Sequence, residues 1–288
     1  MKRRRREPCT ARVAVRADMP ALTKKIRALP KFLECAVERA GWRPTLGWLA
    51  CRTVCEFGWK QPARWKIRPP QTKHPLLIRL GRSSDLDCFR QIFLEDEYAC
   101  LRDIPSPQLI MDLGAYVGYS SAYFLSCFPS AKVVALEPAP DNYEVCSENL
   151  EPYGDRVRLV QGAVWPRRCT LRLSRGTFGD GREWATQVRE FQNDHGTIAD
   201  GWDIPSLLSP VGSTWIDLLK VDVERSELEV FGNGAEVWLP HVRNICIELH
   251  GSDCEQVFFR ALQSFEFELQ RSGELTICRN LRRRRDST

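Results

Sequence analysis

Apolar and polar residues alternate in blocks along residues 109–278, and these blocks predict strands and helices in turn. Short apolar runs predict strands, and segments with apolar residues three or four positions apart predict helices between them. A regular alternation of this kind is typical of an α/β fold with a doubly wound, mostly parallel, Rossmann-like sheet. The predicted strands are 109–113, 132–136, 156–161, 216–222, 243–249, 265–269 and 274–278, and the predicted helices are 118–127, 140–150, 226–232 and 253–263.

The residues outside these blocks follow other patterns. Residues 1–20 and 280–288 are basic and lack periodic apolar positions, so we expect two disordered basic tails. Residues 21–75 have apolar positions at helical intervals that Pro30 and Pro44 interrupt, which predicts a helical N-terminal appendage of short helices with a stiff proline-rich linker. Residues 76–279 then form the main domain.

Two segments do not fit the regular alternation. Residues 84–98 predict a helix that Ser84 caps, with Asp87 three positions later, and this helix suits either a lid or ordinary packing. Residues 163–214 are polar and contain several glycines, with short strand character only near their start. We expect the substrate loops in this second segment.

The first predicted strand ends in an acid and runs into a glycine-containing turn, in the sequence LIMDLGAYVG at 109–118. Glycines let a backbone approach a ligand closely, and the N-terminus of a helix follows the turn, so the pattern is typical of a ligand-binding site. The spacing D-x-G-x-x-x-G differs from the glycine patterns that bind pyrophosphate. Asp112 would repel a phosphate but suits an ammonium group, such as that of S-adenosylmethionine (SAM). An ordinary tight turn is the structural alternative.

Four segments resemble the FkbM-type family of SAM-dependent class I methyltransferases. WIDLLKVDVERSELEVF at 215–231 resembles the family motif (I)DLLK(I/V)DVEGxE, and MDLGAYVGYSS resembles the D-x-G-A-N-x-G-Y turn of the family. EPAPDNYEVCSENL is similar to its second strand and helix, and ICIELHG to its late strand. The resemblance extends from about residue 78 to residue 277, with two departures: Tyr116 stands where the family commonly has Asn, and Arg225 replaces a Gly.

The resemblance implies a seven-stranded class I methyltransferase fold with SAM as the cofactor, bound where the parallel strands end. It implies that Asp112 and the glycine turn hold the methionine part, that Glu137 binds the ribose diol, and that Gly162 and Ala163 border the adenine. A set of ordinary strand ends and caps is the structural alternative. The implied cofactor-binding residues are Asp112, Gly114, Ala115, Tyr116, Gly118, Glu137, Gly162 and Ala163.

Methyl transfer to a hydroxyl group needs an aligned acceptor and a group that removes its proton. Asp222 and His250 are the favoured catalytic residues, with Glu248 as a further carboxylate and Lys220 to orient a carboxylate or the acceptor. His250 could equally be a surface residue that follows a strand, and the nearby acids could simply begin a helix. Three carboxylates lie close together in the sequence, which leaves a bound metal as an alternative, but none is assigned because their spacing is not specific to a metal site.

The net charge of +5 conceals an uneven distribution. Residues 1–80 contain 20 Lys or Arg and 5 Asp or Glu, whereas residues 81–288 contain 22 and 32. A basic front with interleaved tryptophans suits anionic lipid headgroups, a phosphorylated glycolipid or nucleic acid, although basic tails are usually only solvated.

Neither a membrane span nor a secretory segment is evident from the sequence. No apolar run reaches the roughly 18 residues of a membrane-spanning helix, and no secretory core follows the basic start. We therefore expect a cytoplasmic protein, with peripheral contact at the inner membrane face as an option. The twelve cysteines include no C-x-x-C pair and are interpreted as reduced packing residues.

Together these patterns predict a SAM-dependent O-methyltransferase. The family suggests a sugar hydroxyl of a glycolipid or polysaccharide, or a polyketide-type metabolite, as acceptor, and Trp165, Trp184 and Trp202 could stack on a sugar or simply pack. One alternative is an RNA methyltransferase that uses the basic front, although the [DNS]-P-P-[YFW] signature of base amine methylation is absent. Another is a protein that binds SAM without catalysis. The sequence leaves the oligomeric state open.

Overall fold

A computed structural model describes residues 19–56, 63–81, 83–174, 187–190 and 197–284, and for residues 19–29 it describes the backbone only. The expected N-terminal tail therefore falls almost entirely outside the described residues, as do residues 285–288, Trp184 and much of the expected substrate-loop segment. Within the described part, no helix combines the length and the apolar character that crossing a bilayer requires.

The helices and strands are numbered here in chain order. The helices are α1 (Met19–Ala40), α2 (Trp42–Glu56), α3 (Asp85–Phe89), α4 (Tyr119–Cys127), α5 (Pro140–Leu150), α6 (Ile204–Leu208), α7 (Glu227–Gly232), α8 (Ala235–Trp238) and α9 (Ser252–Ala261). The strands are β1 (Arg64–Ile67), β2 (Leu76–Arg79), β3 (Leu109–Leu113), β4 (Lys132–Glu137), β5 (Val157–Gln161), β6 (Ala163–Val164), β7 (Cys169–Ser174), β8 (Gln187–Glu190), β9 (Ile198–Trp202), β10 (Leu218–Val221), β11 (Ile245–Glu248), β12 (Phe265–Ser272) and β13 (Leu275–Arg283). A π turn spans Arg90–Leu94, and 3-10 turns span Glu97–Leu101, Glu151–Arg156, Ser209–Val211 and Leu239–His241.

Seven strands form the central sheet, in the order β12-β13-β11-β10-β3-β4-β5. The five strands from β11 to β5 run parallel, and β13 pairs antiparallel with both β11 and β12. This confirms the predicted doubly wound, Rossmann-like sheet and its final hairpin. The predicted bounds of the five parallel strands agree with the observed bounds within two residues, because strands buried between helices read as apolar runs.

Side chains of each strand point alternately to the two faces of the sheet, and each face has its own apolar core. Ile110 of β3 packs on the face that α4 covers, together with Tyr123 and Phe124. Met111 packs on the opposite face, with Phe231 and Phe258 from α7 and α9. Asp112 of β3 therefore points to the same face as Ile110, beneath α4.

The N-terminal segment packs against the main domain more closely than the sequence predicts. The expectation of short helices is wrong, since α1 is 22 residues long and continues through Pro30. The expected linker is partly a hairpin, because β1 pairs antiparallel with β2. Trp48 of α2 donates its Nε1 hydrogen to Leu86 O at 2.8 Å, and Ala36, Ala40 and Cys51 join the buried cluster on the α4 face.

Two further segments differ from the sequence prediction. Ser84 makes no side-chain cap, and the helix that follows it ends after five residues in the π turn, so the predicted capped helix over 84–98 is wrong. The final strand is longer than predicted and reaches Arg283, because it pairs with β12 as far as Phe265. The predicted basic tail from residue 280 is therefore a strand over its first four residues.

The expected substrate-loop segment contains a small second sheet. Its strands run in the order β6-β9-β7-β8. Residues 175–186 and 191–196 of this segment lie outside the described residues. The strand character that the sequence shows near its start corresponds to β7.

Candidate active site

The carboxyl ends of neighbouring parallel strands meet at one edge of the sheet. Residues at the ends of β3, β4, β10 and β11 therefore lie around a common crevice, as the strand order requires. Lys220 of β10 stands beside Asp112 of β3 in the strand register, and the Asp222 backbone N–H donates to Leu113 O at 3.0 Å. The structure thus brings together the site residues that the sequence scatters over more than 130 positions.

The turn after β3 has a compact left-handed path. Gly114, Tyr116 and Gly118 have φ angles of +83°, +51° and +82°. A Cβ atom on Gly114 would lie 1.8 Å from Asp222 O, which leaves no room for any side chain. The N–H groups of Gly114 and Ala115 donate to Leu136 O at 3.2 and 2.8 Å. Gly114 is therefore required by the close approach of the neighbouring strand β10.

Asp112 and Lys220 form a buried ion pair beneath this turn. Lys220 Nζ lies 3.2 Å from Asp112 Oδ1 and donates to Gly114 O at 2.7 Å. Asp112 Oδ2 accepts hydrogen bonds from the hydroxyls of Ser120 and Ser121, each at 2.6 Å. Burial lowers the pKa of Lys220, but the charges of Asp112 and Asp222 outweigh burial and raise it, so the ammonium persists. Asp112 thus faces an ammonium from the chain itself.

Glu137 ends β4 as a buried carboxylate at the crevice. Its Oε2 accepts from the Tyr116 backbone N–H at 3.0 Å, and its Oε1 accepts from the Ala139 N–H at 2.9 Å and from Asn142 Nδ2 at 3.3 Å. Burial raises the pKa of Glu137 to about 7, although these hydrogen bonds act in the opposite direction. The carboxylate is therefore held rigidly beside the glycine turn.

Two residues that the sequence analysis missed, Arg79 and Asp85, hold the side chain of Tyr116. Tyr116 Oη donates to Asp85 Oδ1 at 2.8 Å and accepts from Arg79 Nη2 at 3.1 Å. Arg79 also pairs with the fully buried Asp85 at 2.8 Å and donates to Asn142 Oδ1 at 3.0 Å. No local sequence pattern indicates this role, because Arg79 and Asp85 lie 37 and 31 residues before Tyr116 in the chain.

Four carboxylates surround the imidazole of His250. Asp222 Oδ1, Glu224 Oε2 and Glu248 Oε1 each lie 3.7 Å from His250 Nε2. The fully buried Glu227 places its Oε1 2.8 Å from His250 Nδ1, a contact that the sequence analysis did not predict. One ligand atom each from Asp222, Glu224 and His250 lie within 4.8 Å of one another, so these residues could hold a metal ion.

The charges of this cluster raise the pKa values of His250 and Glu248. Burial lowers the pKa of His250, but the hydrogen bond to Glu227 and the charge of Asp222 outweigh it and raise the pKa to about 9. Burial, with the charge of Asp222, raises the pKa of Glu248 to about 8. In the absence of another cation, His250 therefore carries a proton near neutral pH.

Arg225 occupies a backbone position that suits glycine. Glu224 and Arg225 have φ angles of +47° and +75°, in the left-handed region. Arg225 Nη1 donates to His250 O at 3.0 Å, and its guanidinium pairs with Asp253. These contacts connect the turn after β10 to the segment between β11 and the start of α9, which gives the departure from the family motif a physical explanation.

The small second sheet borders the crevice beyond β5. Gly162 donates its N–H to Glu137 O at 3.1 Å, and a Cβ on it would lie 2.6 Å from Asp200 O and from the Trp202 ring. Ala163 pairs with Gly201 across β6 and β9. Trp165 is buried with its Nε1 donating to Glu190 at 3.1 Å. Packing therefore accounts for Gly162 and for Trp165 without a ligand.

A family model and two known proteins match this chain. The model of the FkbM methyltransferase domain matches residues 112–272. Methyltransferase sdnD of Sordaria araneosa is 30% identical over 194 residues, which cover 56% of this chain and 73% of that protein. The AMB antimetabolite synthetase AmbE of Pseudomonas aeruginosa is 26% identical over 199 residues, which occupy only 9% of its length.

Solved methyltransferases are similar at low identity. The SAH-bound methyltransferase PaMTH1 of Podospora anserina is 13% identical, with a TM-score of 0.39 over 96% of this chain and 100% of that one. An O-methyltransferase of Bacillus cereus in complex with SAH is also 13% identical, with a TM-score of 0.39 over 62% of this chain and 76% of that one.

The family match covers more than half of the chain and contains the glycine turn, Glu137 and the acidic cluster. The central sheet has the strand order of the class I methyltransferase fold, with its antiparallel final hairpin. The chain therefore belongs to the FkbM methyltransferase family and is a SAM-dependent methyltransferase.

Proposed function

We propose that this methyltransferase transfers the methyl group of SAM to a hydroxyl group of a sugar, as in a glycolipid or polysaccharide, or of a polyketide-type metabolite. The observation that carries the proposal is the cluster of Asp222, Glu248 and His250 at the strand ends beside the glycine turn. A hydroxyl acceptor must lose a proton when its oxygen bonds to carbon, and a carboxylate cluster supplies a group that takes it.

The cofactor lies, in this proposal, across the ends of β3 and β4. The backbone of Gly114, Ala115, Tyr116 and Gly118 contacts the methionine part, and Asp112 supports that turn through Lys220, which donates to Gly114 O at 2.7 Å. Glu137 accepts the ribose hydroxyls, and Gly162 and Ala163 border the adenine. This assignment keeps the residues expected from the sequence but gives Asp112 a supporting role, because Lys220 and two serines surround its carboxylate.

The transfer itself is an in-line displacement, in which alignment and exclusion of water supply most of the rate enhancement. We assign Asp222 as the group that receives the acceptor proton, since its Oδ1 lies at the strand end and its side chain is 36% exposed. His250 positions Asp222 from 3.7 Å, and Glu248 is the neighbouring carboxylate. Lys220 Nζ orients Asp222 from the other side, at 3.7 Å from Oδ2.

The acceptor class can be tested by incubating the protein with methyl-labelled SAM and fractionated extract, followed by mass spectrometry of the labelled fraction. Label in glycan, glycolipid or polyketide fractions is the expected result, and label confined to RNA would refute the proposal. Asp222→Asn should keep SAM binding and lower turnover by about 10²- to 10⁴-fold, the usual contribution of general acid–base catalysis. Glu236→Gln, an exposed substitution on α8, is the matched control and should leave turnover unchanged.

We also propose that the enzyme acts in the cytoplasm, in peripheral contact with the inner face of the membrane. A cytoplasmic protein with peripheral contact at the inner membrane face would meet a glycolipid acceptor there, and the 20 Lys or Arg among residues 1–80 suit an anionic surface. Sedimentation with vesicles of phosphatidylserine and phosphatidylcholine, compared with vesicles of phosphatidylcholine alone, tests this contact. Equal sedimentation with both would speak against it.

A further inference from the structure

The acidic cluster after β10 and β11 combines carboxylate oxygens with an imidazole nitrogen, and both kinds of atom can bind a metal ion. Asp222 Oδ1 and Glu224 Oε2 both lie 3.7 Å from His250 Nε2, and the three ligand atoms fall within 4.8 Å of one another. A distance of 3.7 Å is too long for a hydrogen bond. When two ligand atoms each bind one cation at roughly 2.0–2.2 Å, they lie about 3 Å or slightly more from each other. The observed separation of 3.7 Å is close to that value.

The orientation of the imidazole is also that of a metal-binding histidine. His250 Nδ1 lies 2.8 Å from Oε1 of the fully buried Glu227, the first residue of α7, so that Nε2 is directed toward the other two carboxylates. Metal-binding histidines usually have this arrangement, in which a carboxylate behind the ring fixes its tautomer and raises its basicity. Glu227 lies outside the donor set, and its contact with the ring needs no metal to form.

The charge around the imidazole leaves room for a further cation. Asp222, Glu224, Glu227 and Glu248 bring four carboxylates to one imidazole. Apart from the protonated imidazole itself, the buried cation beside them among the described residues is Lys220, which already pairs with Asp112 at 3.2 Å and lies farther, at 3.7 Å, from Asp222. Carboxylates this close repel one another unless a positive charge lies between them.

We propose that Asp222, Glu224 and His250 bind one divalent first-row transition-metal ion, such as Mn²⁺, at the carboxyl ends of β10 and β11. One imidazole nitrogen with two carboxylate oxygens suits such ions better than Mg²⁺ or Ca²⁺, which favour oxygen ligands alone. Asp222 and Glu224 follow β10 and His250 follows β11, and together they provide three ligands, so water or substrate would complete the coordination.

If the proposed function holds, the ion helps to remove the proton of the acceptor hydroxyl. A hydroxyl group bound to a divalent cation loses its proton more readily, because the cation stabilises the alkoxide. Asp222 would hold the ion through Oδ1, and its other oxygen, Oδ2, would remain the group that receives the proton, as assigned above. Binding of the ion itself does not depend on which acceptor the enzyme uses.

Binding can be measured without turnover. The full chain is treated with a chelator, desalted and titrated with Mn²⁺ while the electron paramagnetic resonance signal of free Mn²⁺ is recorded. We expect one saturable site per chain, with affinity weakened at least tenfold in Asp222→Asn and in Glu224→Gln. Glu227→Gln should weaken it as well, through loss of the carboxylate behind His250. Glu236→Gln on exposed α8 is the charge-matched control and should bind Mn²⁺ as the unaltered chain does.

Calorimetry with SAM on the same samples separates the two proposals. Retained SAM binding shows that a variant is folded, so a loss of Mn²⁺ binding then reports on the ligands. The metal inference is overturned if the unaltered chain binds SAM but shows no saturable Mn²⁺ site, or if Mn²⁺ binding is the same in the Asp222 and Glu224 variants. Absence of SAM binding by the unaltered chain would instead contradict the proposed function.

Discussion

At the scale of single residues, Tyr116 shows how a departure from a family motif can be compensated. A tyrosine in the left-handed region is strained, and an asparagine would adopt a φ of +51° more easily. The phenol compensates by donating to the buried Asp85 and accepting from Arg79. Tyr116 therefore connects the glycine turn to the segment that precedes the sheet.

Tyr116→Phe should weaken SAM binding by about three- to tenfold, since it removes two hydrogen bonds that fix the turn, each contributing about 0.5–1.5 kcal/mol. Calorimetric titration with SAM measures the effect. Tyr119→Phe is the matched control, because Tyr119 Oη also donates one buried hydrogen bond, to Leu77 O at 2.7 Å, but away from the turn. An equal loss of affinity in both variants would show that Tyr116 has no particular part in cofactor binding.

Gly114 gives a second prediction at this scale. Gly114→Ala should destabilise the protein by several kcal/mol, because the added Cβ would lie 1.8 Å from Asp222 O in addition to the strain of a positive φ. Gly234→Ala is the control: its φ is +77° but nothing lies within 4 Å of the added atom, so only strain of about 1 kcal/mol is expected. Urea unfolding compares the two, and similar losses would contradict the steric explanation.

At the scale of elements, the pair formed by Asp112 and Lys220 joins β3 to β10 in the middle of the sheet. Both side chains are buried on the α4 face, where Ile110 and Leu218 pack two residues earlier on the same strands. A polar pair in an apolar core specifies how two strands align, because either charge alone would be costly to bury. The same lysine bonds to Gly114 O, so the pair also positions the turn.

Asp112→Asn and Lys220→Met should each destabilise the chain by about 3–5 kcal/mol, because each leaves the other charge buried without its partner. The double variant should recover much of this loss, since neither charge is then buried. SAM affinity should stay low in both Lys220 variants, which lack the hydrogen bond to Gly114 O. Urea unfolding and SAM calorimetry provide the two readouts, and additive losses of stability would contradict the pairing.

At the scale of the whole molecule, the N-terminal helices and the sheet bury a common core. Trp48 is 7% exposed and donates to Leu86 O, which places α2 directly on the segment that carries Asp85. Since Asp85 holds Tyr116, the N-terminal segment supports the cofactor turn through packing and hydrogen bonds. We propose that this segment and the main domain unfold together.

Trp48→Ala should lower the free energy of unfolding by about 3–5 kcal/mol and keep a single transition, as expected for a large side chain removed from a shared core. Trp42→Ala on the same helix is the control, because Trp42 is 58% exposed and its loss should cost little. Two separate transitions in thermal unfolding of the unaltered chain would instead indicate an independent N-terminal unit.

Local pattern predicts the parts of the fold that depend on neighbouring residues in the chain. β3 is predicted at its observed bounds, Leu109–Leu113, because burial on both faces makes a strand a run of apolar residues. The capped helix after Ser84 is predicted wrongly, since Asp85, the residue that follows, turns its side chain to Arg79 on β2. Packing over distance overrides local propensity at that point.

By itself, the sequence determined the alternation of strands and helices, the family, the cofactor and the set of residues that end the parallel strands. These follow from periodicity and from motifs that each lie within a few residues. Only the tertiary structure decided that Asp112 meets Lys220, that Gly114 is required by the backbone of Asp222, and that Glu227 holds His250. The physical reason is that each of these contacts joins residues far apart in the chain, and its strength depends on burial and distance, which no local pattern specifies.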